Sequence, residues 1–280
     1  MKSVYTGGEK VAEFESYDEL RVGDSKPAFI YEGNELVYPN PVKDGLVLWY
    51  DFSGRTNADS QRGIAEDLSG NGNHGTLQNF NYTAESGYDK NKLLFDGVDD
   101  YILSNSLDRD YIDPIKNFNF DFVLNQKDIA SKGTIVLMPF TGQRLTVKNS
   151  KDAIAVGRYT SHWFGRKTPS LKRGSNHLSI NVILLGEGEY ELNEPSFLIE
   201  MYVNGTLVED VYASSSDYYS NVARVLTIGW QGTNSTQSDI AYLNESLHSL
   251  KIYNRPLTAS EIAHNYAIEK ERFNIQEVTV

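Results

Sequence analysis

The 280-residue sequence contains no cysteine. That excludes a disulfide scaffold, a cysteine nucleophile and any thiolate-held metal. Methionine is scarce, with 3 residues against 18 Tyr and 12 Phe, a balance that suits strand-rich cores better than helical bundles. Positive charge is in deficit: 26 Lys and Arg face 38 Asp and Glu, a formal net charge of −12. A chain of that sign lacks the electrostatic footprint of a general nucleic-acid or anionic-membrane binder. Long apolar runs are missing too. Ile180–Leu185, with Asn181 inside it, is far short of the ~20 residues of a spanning helix, so no membrane insertion is expected. The opening MKSVYTGGEKVAEFES is broken by Gly7, Gly8, Glu9 and Lys10 and lacks the apolar stretch of a secretory signal. The chain is expected to act inside the cell that makes it, or to leave without an N-terminal signal. There is no H-E-x-x-H and no G-x-S-x-G, so the common metalloprotease and serine-hydrolase signatures are absent.

What is present begins with a weak repeat. Val4-Tyr5-Thr6-Gly7-Gly8-Glu9-Lys10-Val11 matches Ile30-Tyr31-Glu32-Gly33-Asn34-Glu35-Leu36-Val37. Each copy places a β-branched residue and Tyr before a Gly-containing turn, then returns to an aliphatic residue, the pattern of a tight hairpin. Two such hairpins, over 1–40, bury too little core to stand alone. They are expected to dock on something. Tyr38-Pro39-Asn40-Pro41-Val42-Lys43-Asp44-Gly45 is a linker. Beyond it more than ten strand candidates recur, from Leu46–Phe52 to Leu247–Tyr253, with no helices alternating between them. That argues for an all-β sandwich. Val203-Asn204-Gly205-Thr206 is an Asn-Gly hairpin turn. One helix is signalled at 259–272: Thr258 and Glu261 form a capping box, an apolar stripe follows through Ile262, Tyr266 and Phe273, and Lys270 and Arg272 sit near the C-terminal end.

Gly70-Asn71-Gly72-Asn73-His74-Gly75 matches the dinucleotide fingerprint G-x-G-x-x-G. The fingerprint requires a strand before it and a helix after it, and neither flank has that pattern, so nucleotide binding is rejected. A second cluster gives a better reading: Leu93-Leu94-Phe95-Asp96-Gly97-Val98-Asp99-Asp100-Tyr101-Ile102 puts three carboxylates in five residues at a strand–turn–strand junction. Taken with Asp67-Leu68-Ser69-Gly70-Asn71-Gly72-Asn73-His74-Gly75, and with the strand Gly45–Phe52 and the ending Leu247–Ile262, it resembles the concanavalin A-like lectin/glucanase superfamily, in its laminin-G-like branch. The resemblance covers roughly 44–273. It implies an all-β concanavalin A-like jelly-roll sandwich, with a hairpin module before it and one C-terminal helix. The leader, with V-Y-P-N-P-V-K-D-G-L-V-L-W, resembles the front ends of phage and prophage tail or baseplate proteins.

From the residues and the resemblance together, a structural Ca²⁺ is expected near these loops. A hard cation takes six to eight oxygens, and Asp67, Asn71, Asn73, Asp96, Asp99 and Asp100 supply oxygens on two segments. In the alternative reading, Asp67 and Asp96 cap turns through backbone amides while Asp99 and Asp100 are solvated. His248 stands where many relatives carry an acidic residue. Glucanase relatives carry carboxylates spaced as Glu-x-Asp-x-x-Glu on one strand. The nearest string here, Glu187-Gly188-Glu189-Tyr190-Glu191, lies in a Gly-rich turn and reads as a solvated tip, so no enzyme is expected.

Glycan binding is what the resemblance implies, and loop aromatics are the candidate contacts. Trp230 with Gln231 and Asn234, and Tyr159 with Trp163, place rings among polar neighbours, which suits stacking on sugars. Trp49 and Trp163 also read as core residues. The expected function is a non-enzymatic phage or prophage virion protein whose jelly roll holds a host cell-surface or cell-wall glycan. It would be made in the bacterial cytoplasm, released without a signal peptide, and assembled with other virion proteins as a homo-oligomer. A glycan hydrolase or its accessory carbohydrate-binding module, and a protein–protein adhesion domain, are the alternatives.

Overall fold

The computed structural model of the chain describes residues 2–6, 9–14, 27–32, 35–104, 117–127, 133–140, 143–150, 153–157, 171, 173–187, 195–214, 226–230 and 242–276, and structural statements concern these. The chain divides into two compact units, 1–43 and 44–280.

The first unit holds two antiparallel hairpins. β1 (Lys2–Thr6) pairs with β2 (Glu9–Phe14), and β3 (Ile30–Glu32) pairs with β4 (Glu35–Tyr38). The register shifts between Val4 and Tyr5 in one and between Ile30 and Tyr31 in the other. The two copies of the sequence repeat thus share a strand irregularity at the same β-branched–Tyr step.

The second unit is a β-sandwich of jelly-roll-like kind. Its strands are β5 (Leu46–Asp51), β6 (Ile64–Ala65), β7 (Gly75–Gln78), β8 (Gly87–Asp89), β9 (Lys92–Leu94), β10 (Tyr101–Ser104) and β11 (Phe118–Gln126). Then come β12 (Gly133–Phe140), β13 (Gln143–Ser150), β14 (Ala153–Gly157), β15 (Gly174–Glu187), β16 (Pro195–Val203), β17 (Thr206–Ser214), β18 (Leu226–Ile228) and β19 (Ser246–Tyr253). Helix α1 (Ala259–Phe273) follows. Among the described residues one sheet runs β14-β13-β12-β18-β10-β7-β6. The other runs β17-β16-β15-β11-β19-β9-β8, with β5 also paired to β19. The segment after the glycine-rich loop is strand β7, not the helix a dinucleotide fingerprint needs.

Alternation along the strands builds the core. Phe118, Phe120, Phe122 and Leu124 of β11 meet Leu178, Ile180 and Val182 of β15, Leu250 and Ile252 of β19, and Leu48 and Tyr50 of β5. Leu77, Ile102, Ile135, Leu226 and Ile228 come from the facing sheet. Fully burying each such side chain contributes about 1.5–3 kcal/mol. The intervening residues Asn119, Asp121, His177, Ser179, Asn181, Ser249 and Lys251 are buried as well, although they are polar. They are covered by α1.

The helix starts where Thr258 Oγ1 accepts from Glu261 N while Glu261 reaches back to the Thr258 N–H, and it ends on Asn274 in the left-handed region. The β16–β17 turn passes beneath it. Gly205 has φ +75°, and a Cβ there would lie 2.7 Å from the Tyr266 ring, so both the turn and the helix above it require glycine.

Candidate functional site

The 67–75 loop is tied to β5 by its own polar groups. Asp67 Oδ1 accepts from Trp49 N (2.9 Å) and Ser69 N (3.0 Å), and Oδ2 accepts from Ser69 Oγ and Asn73 N (both 2.8 Å). Asn71 Nδ2 donates to the Leu46 carbonyl at 3.0 Å, and Asn73 Nδ2 to the Val47 carbonyl at 2.8 Å. Tyr50 Oη donates to the Asn73 carbonyl at 2.7 Å. Gly70 and Gly72 have φ of +89° and +74° with open space around them, so they serve the path of the loop. Trp49 is fully buried.

The β9–β10 turn forms the second element. Asp96 Oδ1 accepts from Val98 N at 2.8 Å. Asp100 reaches across, accepting from Ser86 Oγ at 3.1 Å and from Asp96 N at 3.0 Å. Gly97 has φ +78°, and a Cβ there would lie 2.7 Å from the Asn244 side chain. Carboxylate oxygens of Asp96, Asp99 and Asp100 lie within 4.8 Å of one another. Burial pushes the Asp100 carboxyl up to about 6, with Asp96 and Asp99 adding to the rise against the hydrogen bonds from Ser86 and Asp96 N. Lys127 donates from Nζ to the Phe95 carbonyl at 3.1 Å and from its backbone N–H to Glu245. Burial lowers its ammonium, while Glu245, Asp96 and Asp100 oppose that shift.

The six residues expected to hold Ca²⁺ are therefore divided. Asp96, Asp99 and Asp100 come together, and their oxygens are chemically apt for a hard cation. Asp67, Asn71 and Asn73 are occupied in fastening their loop, and Asp67 is not part of the carboxylate cluster.

An aromatic surface adjoins this turn. Gly229, with φ +93°, comes so close to the turn that a Cβ would lie 2.7 Å from the Phe95 ring and 3.1 Å from the Asp100 carbonyl. Trp230 follows it. The Trp230 ring lies 4.8 Å from that of Tyr101, tilted by 44°, and 6.1 Å from that of Tyr242, nearly parallel at 4°. Thr227 Oγ1 donates to the Trp230 carbonyl at 2.8 Å, and Leu243 N to the Gly229 carbonyl at 2.9 Å. All three rings are half-buried. The Tyr242 hydroxyl is pushed up by burial first, then by Tyr101 and Asp99, which brings Asp99 into electrostatic range of the rings. Tyr101 and Tyr242 are the site residues that sequence reasoning missed. Tyr101 stands in the D-D-Y-I string itself, whereas Tyr242 carries no local signal. Gln231, Asn234, Tyr159 and Trp163 lie outside the described residues.

The other concentration of charge lies under α1. Lys251 bonds both Asp121 (3.2 Å) and Glu269, His177 Nε2 is 3.0 Å from Asp121, and Arg272 contacts Asp51 (2.7 Å) and Glu269 (3.0 Å). These side chains are between 0% and 4% exposed. The network is almost closed to solvent and fastens the helix.

No protein-family profile and no curated protein matches the chain. Solved structures do. A Trypanosoma rangeli sialidase in complex with sialic acid is 15% identical over 81% of this chain and 33% of its own, with a TM-score of 0.53. Domain 4 of AbnA, a GH43 extracellular arabinanase from Geobacillus stearothermophilus, in complex with arabinotriose, is 15% identical over 79% of this chain and 98% of its own, with a TM-score of 0.52. The receptor-binding domain of a botulinum neurotoxin C/D mosaic serotype is 12% identical over 81% and 52%, with a TM-score of 0.55. The chain thus spans about a third of the sialidase, half of the toxin domain and nearly all of the arabinanase domain. These likenesses establish the sandwich fold. They also correct one expectation: a sialidase and a domain of an arabinanase share this fold, so the chain is not set apart from enzymes as the sequence reading had it.

Proposed function

We propose that the sandwich is a glycan-binding module and that its contact surface is the Tyr101–Trp230–Tyr242 face beside the β9–β10 turn. The observation that carries this is three half-buried rings brought together from β10, from the end of β18 and from the approach to β19. Rings offer broad apolar faces to sugar C–H groups, and nearby amides and carboxylates bond hydroxyls. The arabinanase domain, matched over almost its full length and bound to arabinotriose, supports the same reading. Binding at such an open face is shallow, with dissociation constants of about 0.1–1 mM, or roughly −4 to −5.5 kcal/mol. Trp230→Ala is expected to abolish binding on a glycan array while leaving the unfolding midpoint nearly unchanged. Loss of folding in that variant, or a wild type that binds no glycan, overturns the assignment.

The finer reading places this module, of laminin-G-like kind, on a phage or prophage tail or baseplate. There the 1–40 hairpins would join copies of the chain or other virion proteins. The hairpin pair has little core of its own, which is what supports an assembly role. The span of the arabinanase domain favours a second reading, an accessory module of a glycan-cleaving enzyme. Flanking genes decide: tail genes support the first and glycan-utilisation genes the second. Ca²⁺ belongs to the proposal at Asp96, Asp99 and Asp100 alone. Millimolar Ca²⁺ is expected to raise the unfolding midpoint over chelator by linkage, and an unchanged midpoint removes the ion.

A further inference from the structure

Resting on the glycan-binding reading, we propose that this face takes a sugar bearing a protonated amine, such as glucosamine, and turns away carboxylated sugars. The argument is charge complementarity. Aromatic faces carry a negative quadrupole and attract a cation lying within about 6 Å of a ring centroid. Tyr101, Trp230 and Tyr242 form a contiguous set of such faces. At its border stand Asp96, Asp99 and Asp100, with oxygens within 4.8 Å of one another.

Among the described residues the nearby cations are engaged elsewhere or offset only part of that field. Lys127 directs its ammonium to the Phe95 carbonyl, and Glu245, Asp96 and Asp100 act on it. Lys92 pairs with Asp89 at 3.6 Å. Asp99 stands two residues before Tyr101 in the same turn, within the carboxylate cluster, and the whole chain adds a formal −12. An ammonium would gain from rings and carboxylate together. A neutral sugar would gain from the rings alone, and a uronate or sialate would meet like charge. The sialic acid held by the matched sialidase is on this ground a poor guide to the ligand here.

The test is calorimetric titration of the full chain, in mildly acidic buffer that keeps the amine protonated, with chelator so that no metal ion covers Asp96 and Asp99. Three probes are compared: tetramers of β-1,4-glucosamine, of its N-acetylated form, and of galacturonate. The glucosamine tetramer is expected to bind about tenfold tighter than the N-acetylated one at low salt, the advantage shrinking as salt screens it, with galacturonate not binding. Asp99→Asn should lower glucosamine binding severalfold and leave the N-acetylated tetramer unchanged, and Trp230→Ala should lose both. Equal affinity for the two amino-sugar tetramers, or an unchanged ratio in Asp99→Asn, overturns the amine preference while a Trp230-dependent array signal keeps the glycan reading. If neither tetramer binds but array glycans do, the proposal falls alone. If nothing binds, both fall.

Discussion

His248 and Asp100 act on stability in opposite directions over the same pH range. The His248 ring is buried, with Nδ1 2.7 Å from the Asn91 carbonyl, Nε2 3.0 Å from Ser175 Oγ and the Phe273 ring stacked at 4.3 Å. Burial lowers its pKa from 6.5 to about 4. The unfolded chain then takes a proton that the folded chain refuses, so this group withdraws stability as pH falls from about 6.5 to 4. Asp100 is raised from 3.8 to about 6. The folded chain keeps its proton longer, so this group withdraws stability as pH rises from about 4 to 6. Relative to wild type, the midpoint of His248→Gln should drop as pH rises across that window, with about 3 kcal/mol of histidine protonation penalty removed at the acid end. Asp100→Asn should change the other way. Melting curves taken at half-unit steps check both, and parallel curves for the three proteins would reject the assignment. At this scale the sequence was legible where the signal is local. The carboxylate string and Trp230 stood out in it. The turn-capping alternative for Asp67 anticipated the local Ser69 amide, but not the donors in β5 and at Asn73, positions set by the loop's folded path.

Between the large sheet and α1, polar residues do what apolar ones do elsewhere. Asn181 accepts from Leu257 N and Asn119 Nδ2, and donates to the Leu257 carbonyl and Glu200. It holds the approach to the helix as a neighbouring strand would. Lys251 lies between Asp121 and Glu269. Removing one partner from a buried set of this kind costs about 3–5 kcal/mol, because the remaining charges lose their compensation. Lys251→Met should therefore lower urea-unfolding stability by that amount, and a loss under 1 kcal/mol would mean that water reaches the acids. The helix itself was readable from Thr258 and Glu261, whose capping geometry is local, and it runs one residue further than expected. The network beneath it was not readable. In Leu247–Tyr253 the alternation assigns Lys251 to a polar face, and nothing in that string says a helix will cover it. Strand β13 carries little local signal for a related reason, since Gln143–Ser150 has its two aliphatic residues among charged and polar ones.

For the whole molecule the open matter is association. Among its described residues the first unit shows two hairpins, and unpaired strand edges invite further pairing. Light scattering on the full chain and on a chain beginning at Pro41 should give a multiple of the monomer mass for the first alone, and equal monomeric masses would reject self-assembly through the hairpins. Sandwich architecture was legible from many short strands and from the absence of alternating helices. Which strands neighbour one another was not, because pairing joins segments far apart along the chain.

One such pairing has a consequence in time. β5 lies against β19, with Tyr50 opposite Leu250 and Leu48 opposite Ile252. The larger sheet therefore cannot close until a segment made some two hundred residues later has arrived. At about 5–20 residues per second on the ribosome, the early strand waits on the order of ten seconds or more, its Leu48 and Tyr50 side chains lacking their final neighbours. Long-range strand pairing is intrinsically slow as well. Folding of the sandwich is thus a late event in synthesis, and the nascent chain is most exposed to aggregation and to chaperone capture just before its last strand emerges.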